Sequence, residues 1–219
     1  MSDASQKAYA ALLQRIQRGE LPAGAFLIES DVAEQLGISR TPVREAIRRL
    51  AAEGLVRSGD RRRAVVREFD EAQVEELYEL RSRLESYAAE RAATRIDAAG
   101  LENLAALAGA MEACAARGDA AAVARFAELN DAFHQQILAA AAAPHLEAAL
   151  RPMLQIQLVL LQRYRARIGE HLERSCWHHR ELLRALSLRD ATLASEQMRL
   201  HMLAARASSS TSSAGSTLD

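Results

Sequence analysis

The stretch that most constrains this chain runs from residue 29 to residue 68 and reads ESDVAEQLGISRTPVREAIRRLAAEGLVRSGDRRRAVVRE. Its first apolar residues predict a short helix that ends at Gly37, because glycine tolerates the left-handed backbone of a helix end. A second helix follows, with Thr41 expected as the N-cap and Pro42 as the first helical residue, where a missing N–H costs nothing. Two apolar runs then predict the strands of a hairpin, Leu55–Val56 and Ala64–Val66. This order of elements predicts a helix-turn-helix with a wing.

The second helix of this stretch has an apolar face and a basic face. Four residues at i, i+3, i+4 and i+7 are expected in the core, namely Val43, Ala46, Ile47 and Leu50. The opposite face carries Arg44 and Arg48, and Arg40 lies just before the helix. Guanidinium groups presented in this way suit the DNA major groove, where they donate to guanine O6 and N7 or to phosphate oxygens. A solvated basic face on an ordinary helical hairpin is the competing interpretation, but the Gly and Thr-Pro punctuation followed by a basic hairpin favours DNA binding.

The segment LGISRTPVREAIRRLAAEGLV resembles the DNA-reading segment of the GntR family of bacterial transcription regulators nearly residue for residue. The resemblance implies base contacts for Arg40 and Arg44, and phosphate contacts for Ser39 and Thr41. Arg48 shares their helix face and joins this predicted DNA-binding set. Members of the family often have a glycine-rich wing tip. This chain has three arginines there, which are expected to enter a narrow minor groove: Arg61, Arg62 and Arg63.

Charge is distributed unevenly along the 219 residues. Residues 1–67 carry 12 Lys+Arg against 8 Asp+Glu, a net charge of +4, whereas the whole chain has a net charge of −1. A basic head on an acidic body is expected of a DNA reader attached to another domain. Cys114 and Cys176 are too few and too far apart for a disulfide framework or a CxxC metal site. No apolar run approaches the ~20 residues of a membrane span, and no signal peptide opens the chain, which predicts a cytoplasmic protein without membrane contact.

The rest of the chain is predicted to be helical. One amphipathic helix, Ser5–Gln17, precedes the winged unit, and Asp caps, glycines and Pro144 then divide the chain into an antiparallel bundle. Its predicted helices are 71–94, 97–117, 119–142, 144–168, 170–188 and 189–206. The predicted fold is therefore mostly α, with a winged helix-turn-helix DNA-binding domain at 1–68 and a helical effector-binding and dimerisation domain at 69–207. The polar, low-complexity tail at 208–219 is expected to be disordered.

Histidines are the informative polar residues of the predicted bundle. Asn130 and His134 are one helical turn apart and project from one face, while His179 and His201 lie on the fifth and sixth bundle helices. Three imidazoles and a side-chain oxygen that converge in the interior would suit a Zn, Ni, Cu or Fe ion and would leave positions open for water or a ligand oxygen. Spacing alone leaves open the alternative that each histidine is a surface residue or a hydrogen-bonded one.

The bundle resembles the ligand-sensing domain of the FadR-type branch of the GntR family, with a helix number closer to its VanR-like subgroup. Many of these relatives bind a divalent metal through an Asp or Asn one turn before a His, together with two later His. The matching positions are Asn130, His134, His179 and His201, and Zn or Ni is the expected ion. Since many relatives have Asp where this chain has the neutral Asn130, we expect weaker metal binding here.

The family resemblance also implies an effector site. Relatives often hold the carboxylate of a small organic acid with an arginine from the first bundle helix, and the matching residue is Arg81. Its alternative role is a structural ion pair with a glutamate of the bundle. The remaining histidines are interpreted as non-functional: His178 is expected to be partly exposed, and His145 and His171 to face water.

Together these features predict a ligand-responsive transcription regulator and not an enzyme. A homodimer with twofold symmetry would bind a palindromic operator in double-stranded DNA, and an effector in the bundle would shift the placement of the two reading heads. Repression relieved by the ligand is the sign that the resemblance implies. Three alternatives stay open: a metal-dependent helical-bundle enzyme that activates water, a regulator whose metal is itself the signal, and a bundle that only dimerises. The enzyme is disfavoured because it leaves the winged unit without a role.

Overall fold

A computed structural model of the chain describes residues 2–58, 63–163 and 165–210, with the side chains of 58, 158, 161–171 and 207–210 left out. Within these ranges the chain forms nine helices and three short strands. They divide into two compact units, which we call the head (Met1–Phe69 with Pro152–Arg163) and the bundle (Asp70–Arg151 with Tyr164–Asp219). The functional assignment of 1–68, 69–207 and 208–219 stays a prediction.

The head is a winged helix-turn-helix, as predicted. Its elements are α1 (Asp3–Gln17), β1 (Phe26–Ile28), α2 (Glu29–Leu36), α3 (Arg40–Ala52), β2 (Val56–Ser58) and β3 (Arg63–Val66). The strands form an antiparallel sheet in the order β1-β3-β2. Helix α1 packs against α3, and their apolar faces bury Ala8, Leu12, Ile16, Val43, Ala46 and Leu50. Because this face of α3 is fixed in the core, the arginine-bearing face must point away from it.

The helix ends in the head confirm one local prediction and correct another. Gly37 ends α2 with φ 64°, the left-handed conformation that glycine adopts without a steric penalty. The predicted N-cap at Thr41 is wrong: Ser39 occupies the N-cap with extended backbone, and α3 begins at Arg40. Pro42 is therefore the third helical residue, a position where the backbone N–H would still lack an acceptor within the helix. Strand β1 was not predicted, because three residues are too few to show an alternating pattern.

The bundle unit contains five long helices and the first part of a sixth. The five are α4 (Glu71–Ala93), α5 (Ala98–Arg117), α6 (Ala120–Ala141), α8 (Arg165–Ser187) and α9 (Ala191–Ser210), and the sixth is α7 (Pro144–Arg163). The predicted aspartate caps are present: Asp97, Asp119 and Asp190 each accept a hydrogen bond from the backbone N–H three residues later. These local signals explain why most of the helix limits were predictable.

Two helix limits differ from the prediction. The interruption predicted at Gly169 is wrong, since α7 ends at Arg163 and α8 begins at Arg165 and continues through this glycine. A single glycine inside a helix costs only about 1 kcal/mol relative to alanine, which tertiary packing readily offsets. At the other end, α9 continues to Ser210, into the segment predicted to be disordered. Residues 211–219 of that predicted tail lie outside the described residues.

The apolar core of the bundle is enclosed by α4, α5, α6, α8 and α9, with α4 packed along α9 and α8 against both α5 and α9. Large side chains such as Leu104, Met111, Phe133 and Ile137 are fully buried in it. A polar cluster lies at one side of this core, on the faces of α4, α6, α8 and α9. In the described part of the chain, no helix combines the length and the apolar character needed to cross a membrane.

Candidate functional site

The head presents the predicted DNA-binding residues on one surface. Ser39, Arg40, Thr41 and Arg48 are exposed around the first turns of α3. Arg40, Arg44 and Arg48 follow one another at intervals of four and therefore share a face of the helix. Among the described residues, Arg40 and Arg48 have no ion-pair partner. Their guanidinium groups are thus available to a duplex that approaches this face.

Arg44 differs from its neighbours because it is held by an acidic residue of α2. Its Nε donates to both carboxylate oxygens of Glu29, at 3.0 and 3.1 Å, and its Nη2 donates to Oε2 at 2.9 Å. These hydrogen bonds, together with the negative charge of Glu29, raise the pKa of Arg44. The Arg44 side chain remains 39% exposed, whereas that of Glu29 is 13% exposed. The sequence analysis predicted an outward arginine but not this partner.

The wing is described only in part. Arg63 is exposed at the first residue of β3. Arg61 and Arg62, which were predicted to enter a minor groove, lie outside the described residues. Their roles stay a prediction.

In the bundle, three histidines from three helices converge. His134 of α6, His179 of α8 and His201 of α9 are buried, and one ring nitrogen from each lies within 4.8 Å of the others. The closest pair is His134 Nε2 and His201 Nε2, at 3.2 Å. Two nitrogens bound to one Zn at about 2.1 Å would lie about 3.4 Å apart in tetrahedral geometry. The three rings are therefore spaced such that small shifts would let them ligate one ion.

The protonation of this cluster also fits a cation. Burial, reinforced by neighbouring histidines, lowers the pKa of His179 and of His201 well below the ordinary histidine value. The rings of His179 and His201 are therefore neutral, which is the form that ligates metals. Both ring nitrogens of His179 and Nδ1 of His201 are buried without a hydrogen-bond partner. Buried polar atoms without a partner are rare in folded proteins, and these nitrogens would be satisfied by a bound ion or a water molecule.

Glu85 is a residue of this site that the sequence analysis did not identify. It lies on α4, is buried, and its Oε2 is 2.5 Å from His134 Nδ1. Burial alone would raise the pKa of Glu85, but the positive charge of Arg81 and the contact with His134 outweigh it and lower the pKa to about 2. Because the ionised carboxylate only accepts hydrogen bonds, Nδ1 of His134 carries the proton and Nε2 is directed at the histidine cluster. This carboxylate–histidine pair is the arrangement that commonly orients a metal-ligating imidazole.

Arg81 is the largest fully buried side chain in the described part of the chain. Its Nε donates to Glu85 Oε1 at 2.7 Å, so the ion pair considered as its alternative role is present. Nη2 lies at the same distance from this oxygen without hydrogen-bonding alignment, and neither Nη1 nor Nη2 has a hydrogen-bond acceptor. A buried charged donor without an acceptor costs about 1–3 kcal/mol or more. The Nη edge of Arg81 is thus an unsatisfied donor, linked through Glu85 to the histidine cluster.

The other polar residues of the bundle fall into two groups. Asn130 is buried on α6, one turn before His134, as its predicted role requires. His145 is exposed, as predicted, and the side chain of His171 lies outside the described set. The prediction for His178 is wrong: this residue is only 6% exposed, because the neighbouring helix α9 covers its face of α8. Its ring centroid lies 5.9 Å from that of His201, and its Nδ1 has no hydrogen-bond partner.

Comparison with known proteins identifies related sequences for both units. The model of the FCD domain matches residues 76–204, more than half of the chain, and that of the bacterial regulatory proteins, gntR family, matches residues 4–66. A "Probable D-xylose utilization operon transcriptional repressor" of Paenarthrobacter nicotinovorans is 32% identical over 88% of this chain and 83% of its own length. The gluconate operon transcriptional repressor of Bacillus subtilis is 39% identical over 80 residues, which is 36% of this chain and 32% of that protein.

Solved structures share the fold across almost the whole chain. E. coli McbR/YncC superimposes with a TM-score of 0.80 at 24% identity and covers 93% of this chain and 95% of its own. A GntR transcriptional regulator from Rhodococcus sp. RHA1 superimposes with a TM-score of 0.77 at 20% identity and covers 96% and 99%. At this level of identity the similarity establishes the fold alone.

Proposed function

Because this chain belongs to the FCD-containing branch of the GntR family of transcription regulators, we propose that it is a metal-assisted sensor of a small carboxylate that controls binding to a palindromic operator. Family membership also argues against the enzyme, since the matched relatives are DNA-binding regulators. Assignment to the VanR-like subgroup stays a prediction. The observation that carries the proposal is the buried Nη edge of Arg81, which lacks an acceptor in a bundle that also buries a cluster of three histidines.

The metal-binding residues in this proposal are His134, His179 and His201, with Asn130 as an oxygen donor. The neutral rings and their unpartnered nitrogens fit a divalent ion such as Zn or Ni, and Glu85 orients His134 toward it. When bound, the ion supplies a positive charge with open coordination positions that attracts an oxygen of the effector. The chain itself supplies the other half of the recognition through Arg81.

The effector is proposed to be a small organic acid. The Nη edge of a guanidinium donates two parallel hydrogen bonds, which matches the two oxygens of a carboxylate. Since Nε of Arg81 is already occupied by Glu85, the edge that remains has a fixed direction. A carboxylate there would satisfy the buried donors and neutralise the charge that the metal adds. A neutral ligand would leave the positive charges of Arg81 and of the metal without a counter-charge.

DNA binding is assigned to the exposed face of α3. Arg40 and Arg44 are proposed to contact bases in the major groove, and Arg48, Ser39 and Thr41 to contact phosphates. One head covers one half-site, so a homodimer with twofold symmetry would read a palindrome. The names of the matched relatives include two operon repressors, which supports repression as the sign of control.

The covalent connection between the units offers a route for the signal. The head ends at Phe69 and α4 begins at Glu71, so a single residue separates the head from the helix that carries Arg81 and Glu85. An effector bound by both Arg81 and the metal would favour one position of α4 relative to the histidine-bearing helices. It can change operator affinity only by as much as its affinity differs between the two arrangements of the heads.

A thermal unfolding screen tests this proposal directly. Purified protein is heated with a panel of small carboxylates, each with Zn, with Ni and with a chelator, and hits are titrated against a duplex selected from a random pool. We expect a carboxylate to raise the unfolding temperature more when metal is present, because a ligand that binds only the folded state stabilises it. The same acid should weaken DNA binding. A metal that weakens DNA binding without any acid would favour the alternative in which the metal is the signal, and no response to either would favour a bundle that only dimerises.

A further inference from the structure

The ion pair between Arg44 and Glu29 uses only one edge of the guanidinium. The two hydrogen-bonding atoms are Nε and Nη2, which form the side edge of the group. A guanidinium has five N–H donors in a planar fork. The end edge, formed by Nη1 and the outer N–H of Nη2, has no hydrogen bond within the described residues. The pair therefore leaves two parallel donors of Arg44 available.

The free end edge has the shape that guanine requires. In the major groove, guanine presents O6 and N7 as adjacent acceptors, and an arginine contacts both when its two donors point at the base edge. An isolated arginine must adopt this orientation from many rotamers when it binds, and it loses conformational entropy in doing so. A carboxylate that grips the side edge fixes the plane of the group before DNA arrives.

Glu29 is well placed to provide this grip. It is the first residue of α2, a position where the helix dipole favours a negative charge. Helix α2 packs against α3, and the Glu29 side chain is largely buried, at 13% exposure. Its carboxylate is therefore held by the core of the head. The exposed residues of the same helix, such as Glu34, lack this contact with Arg44.

We propose that Glu29 is a positioning residue for DNA recognition, which holds Arg44 by its side edge so that the end edge contacts one guanine of each half-site. The inference rests on the proposed reading of DNA by α3. Glu29 itself does not contact a base, yet its loss relaxes the choice of base at one position. A plain structural ion pair would not do this, because it would change stability and leave base preference intact.

A matched set of variants tests this assignment. Glu29→Gln keeps the size of the side chain but removes its charge and replaces one acceptor oxygen by an NH2 donor. Glu34→Gln makes the same charge change on the same helix. Arg44→Lys removes the bidentate donor, and the double variant Glu29→Gln/Arg44→Lys completes a cycle. A duplex is selected from a random pool with the full-length protein, and Kd is measured for it and for each single base-pair replacement. Circular dichroism and thermal unfolding establish that every variant is folded.

We expect Glu29→Gln to lose about tenfold of the discrimination at one guanine position per half-site, the scale of one bidentate contact, and to keep it elsewhere. Glu34→Gln should keep discrimination at every position. Arg44→Lys should lose discrimination at the same guanine, and adding Glu29→Gln to it should cause no further loss there. A change in stability alone would weaken binding to all duplexes equally and would not produce this pattern.

Three results would overturn the assignment. Uniform weakening on all duplexes would make the pair a structural one, and tighter binding with unchanged discrimination would mean that Glu29 masks Arg44 from DNA. Loss of discrimination in Arg44→Lys with full discrimination in Glu29→Gln would refute the role of Glu29 while DNA reading by α3 survives. Failure to select any duplex with the wild-type protein would instead overturn the proposed DNA reading and the role of Glu29 with it.

Discussion

The head and the bundle each contain an Arg–Glu pair, and the two pairs differ in exposure. In the head, the Arg44 side chain is 39% exposed, so that water reaches its guanidinium, while Glu29 beside it is only 13% exposed. Arg81 and Glu85 lie inside the bundle, where both side chains are almost inaccessible. In each pair Nε is bound to the carboxylate, and in each the outer donors are left without an acceptor.

The difference in exposure changes what the unsatisfied edge implies. At the surface, water satisfies free donors at little cost, and the edge is available for a partner that comes and goes. In the interior, the Nη donors of Arg81 are buried without an acceptor, which is costly until an anion binds them. The same pair of residue types therefore fits the proposed reversible contact with a base in the head and the proposed bound anion in the bundle.

The largest expected effect is a difference in the stability lost when the arginine of each pair is replaced. Arg81→Ala should lower the free energy of unfolding by about 3–5 kcal/mol, because it leaves Glu85 buried without its cation. Arg44→Ala should lower it less, since the Arg44 side chain is 39% exposed and pairs screened by water contribute less than buried ones. Urea unfolding of the two variants measures both. Equal losses would mean that burial does not distinguish the pairs.

Metal affinity should depend on the buried pair through His134. Glu85→Gln should weaken binding of Zn or Ni by about 10–100-fold, the usual cost of losing the partner that orients a ligating histidine. His134→Ala should weaken it more, and the exposed His145→Ala serves as the control. Isothermal titration with each metal gives the affinities. A normal affinity in Glu85→Gln would remove the carboxylate from the metal site.

The surface arginines should respond to DNA and not to metal. Arg40→Ala should lose about 1–3 kcal/mol of binding to a selected duplex and relax the preference at one base pair. Arg48→Ala, if it contacts phosphate, should weaken binding evenly across sequences and reduce the salt dependence by about one ion. Fluorescence anisotropy at several salt concentrations separates these outcomes. Identical sequence dependence in both variants would contradict the assigned roles.

The smallest effect is expected at Asn130. Asn130→Asp places a carboxylate where the neutral amide now lies and should raise divalent-metal affinity roughly tenfold, since ligand charge strengthens such sites. Asp131→Asn, one position along the helix, should change the affinity less, because the carboxylate of Asp131 acts on His134 and Arg81 only through its charge. Competition against a metal-sensitive dye measures both variants. A stronger effect at Asp131 would place the fourth ligand there.

Local signals made much of the fold predictable. Asp97, Asp119 and Asp190 mark helix starts because an N-cap side chain bonds to a backbone N–H only three residues later. Gly37 marks a helix end because its own backbone adopts the left-handed conformation. Gly169 shows the limit of this logic, since packing decides whether a single glycine interrupts a helix. The short strand β1 exists only because β3 pairs with it, and its own residues do not predict it.

The candidate site was predictable only in part. His134, His179 and His201 were identified from the sequence, with the family resemblance as the guide, and the fold brings them together. Glu85 was missed because its contact with His134 depends on which face of α4 packs against α6. His178 was misjudged since its burial depends on α9. The contact of Glu85 and the burial of His178 both depend on how two helices pack against each other. The periodicity of residues within a single helix does not reveal this packing.

The amino-acid sequence by itself determined most of the order of the elements and the arginine-bearing face of α3, because these follow from periodicity and from local chemistry, and its motifs resembled those of the family to which the chain belongs. The tertiary structure alone decided which charges are paired. It joined Arg44 to Glu29 across two helices and tied Arg81 through Glu85 to His134. An ion pair requires that two charged groups lie within a few ångströms of each other, and the packing of the helices decides which groups do so.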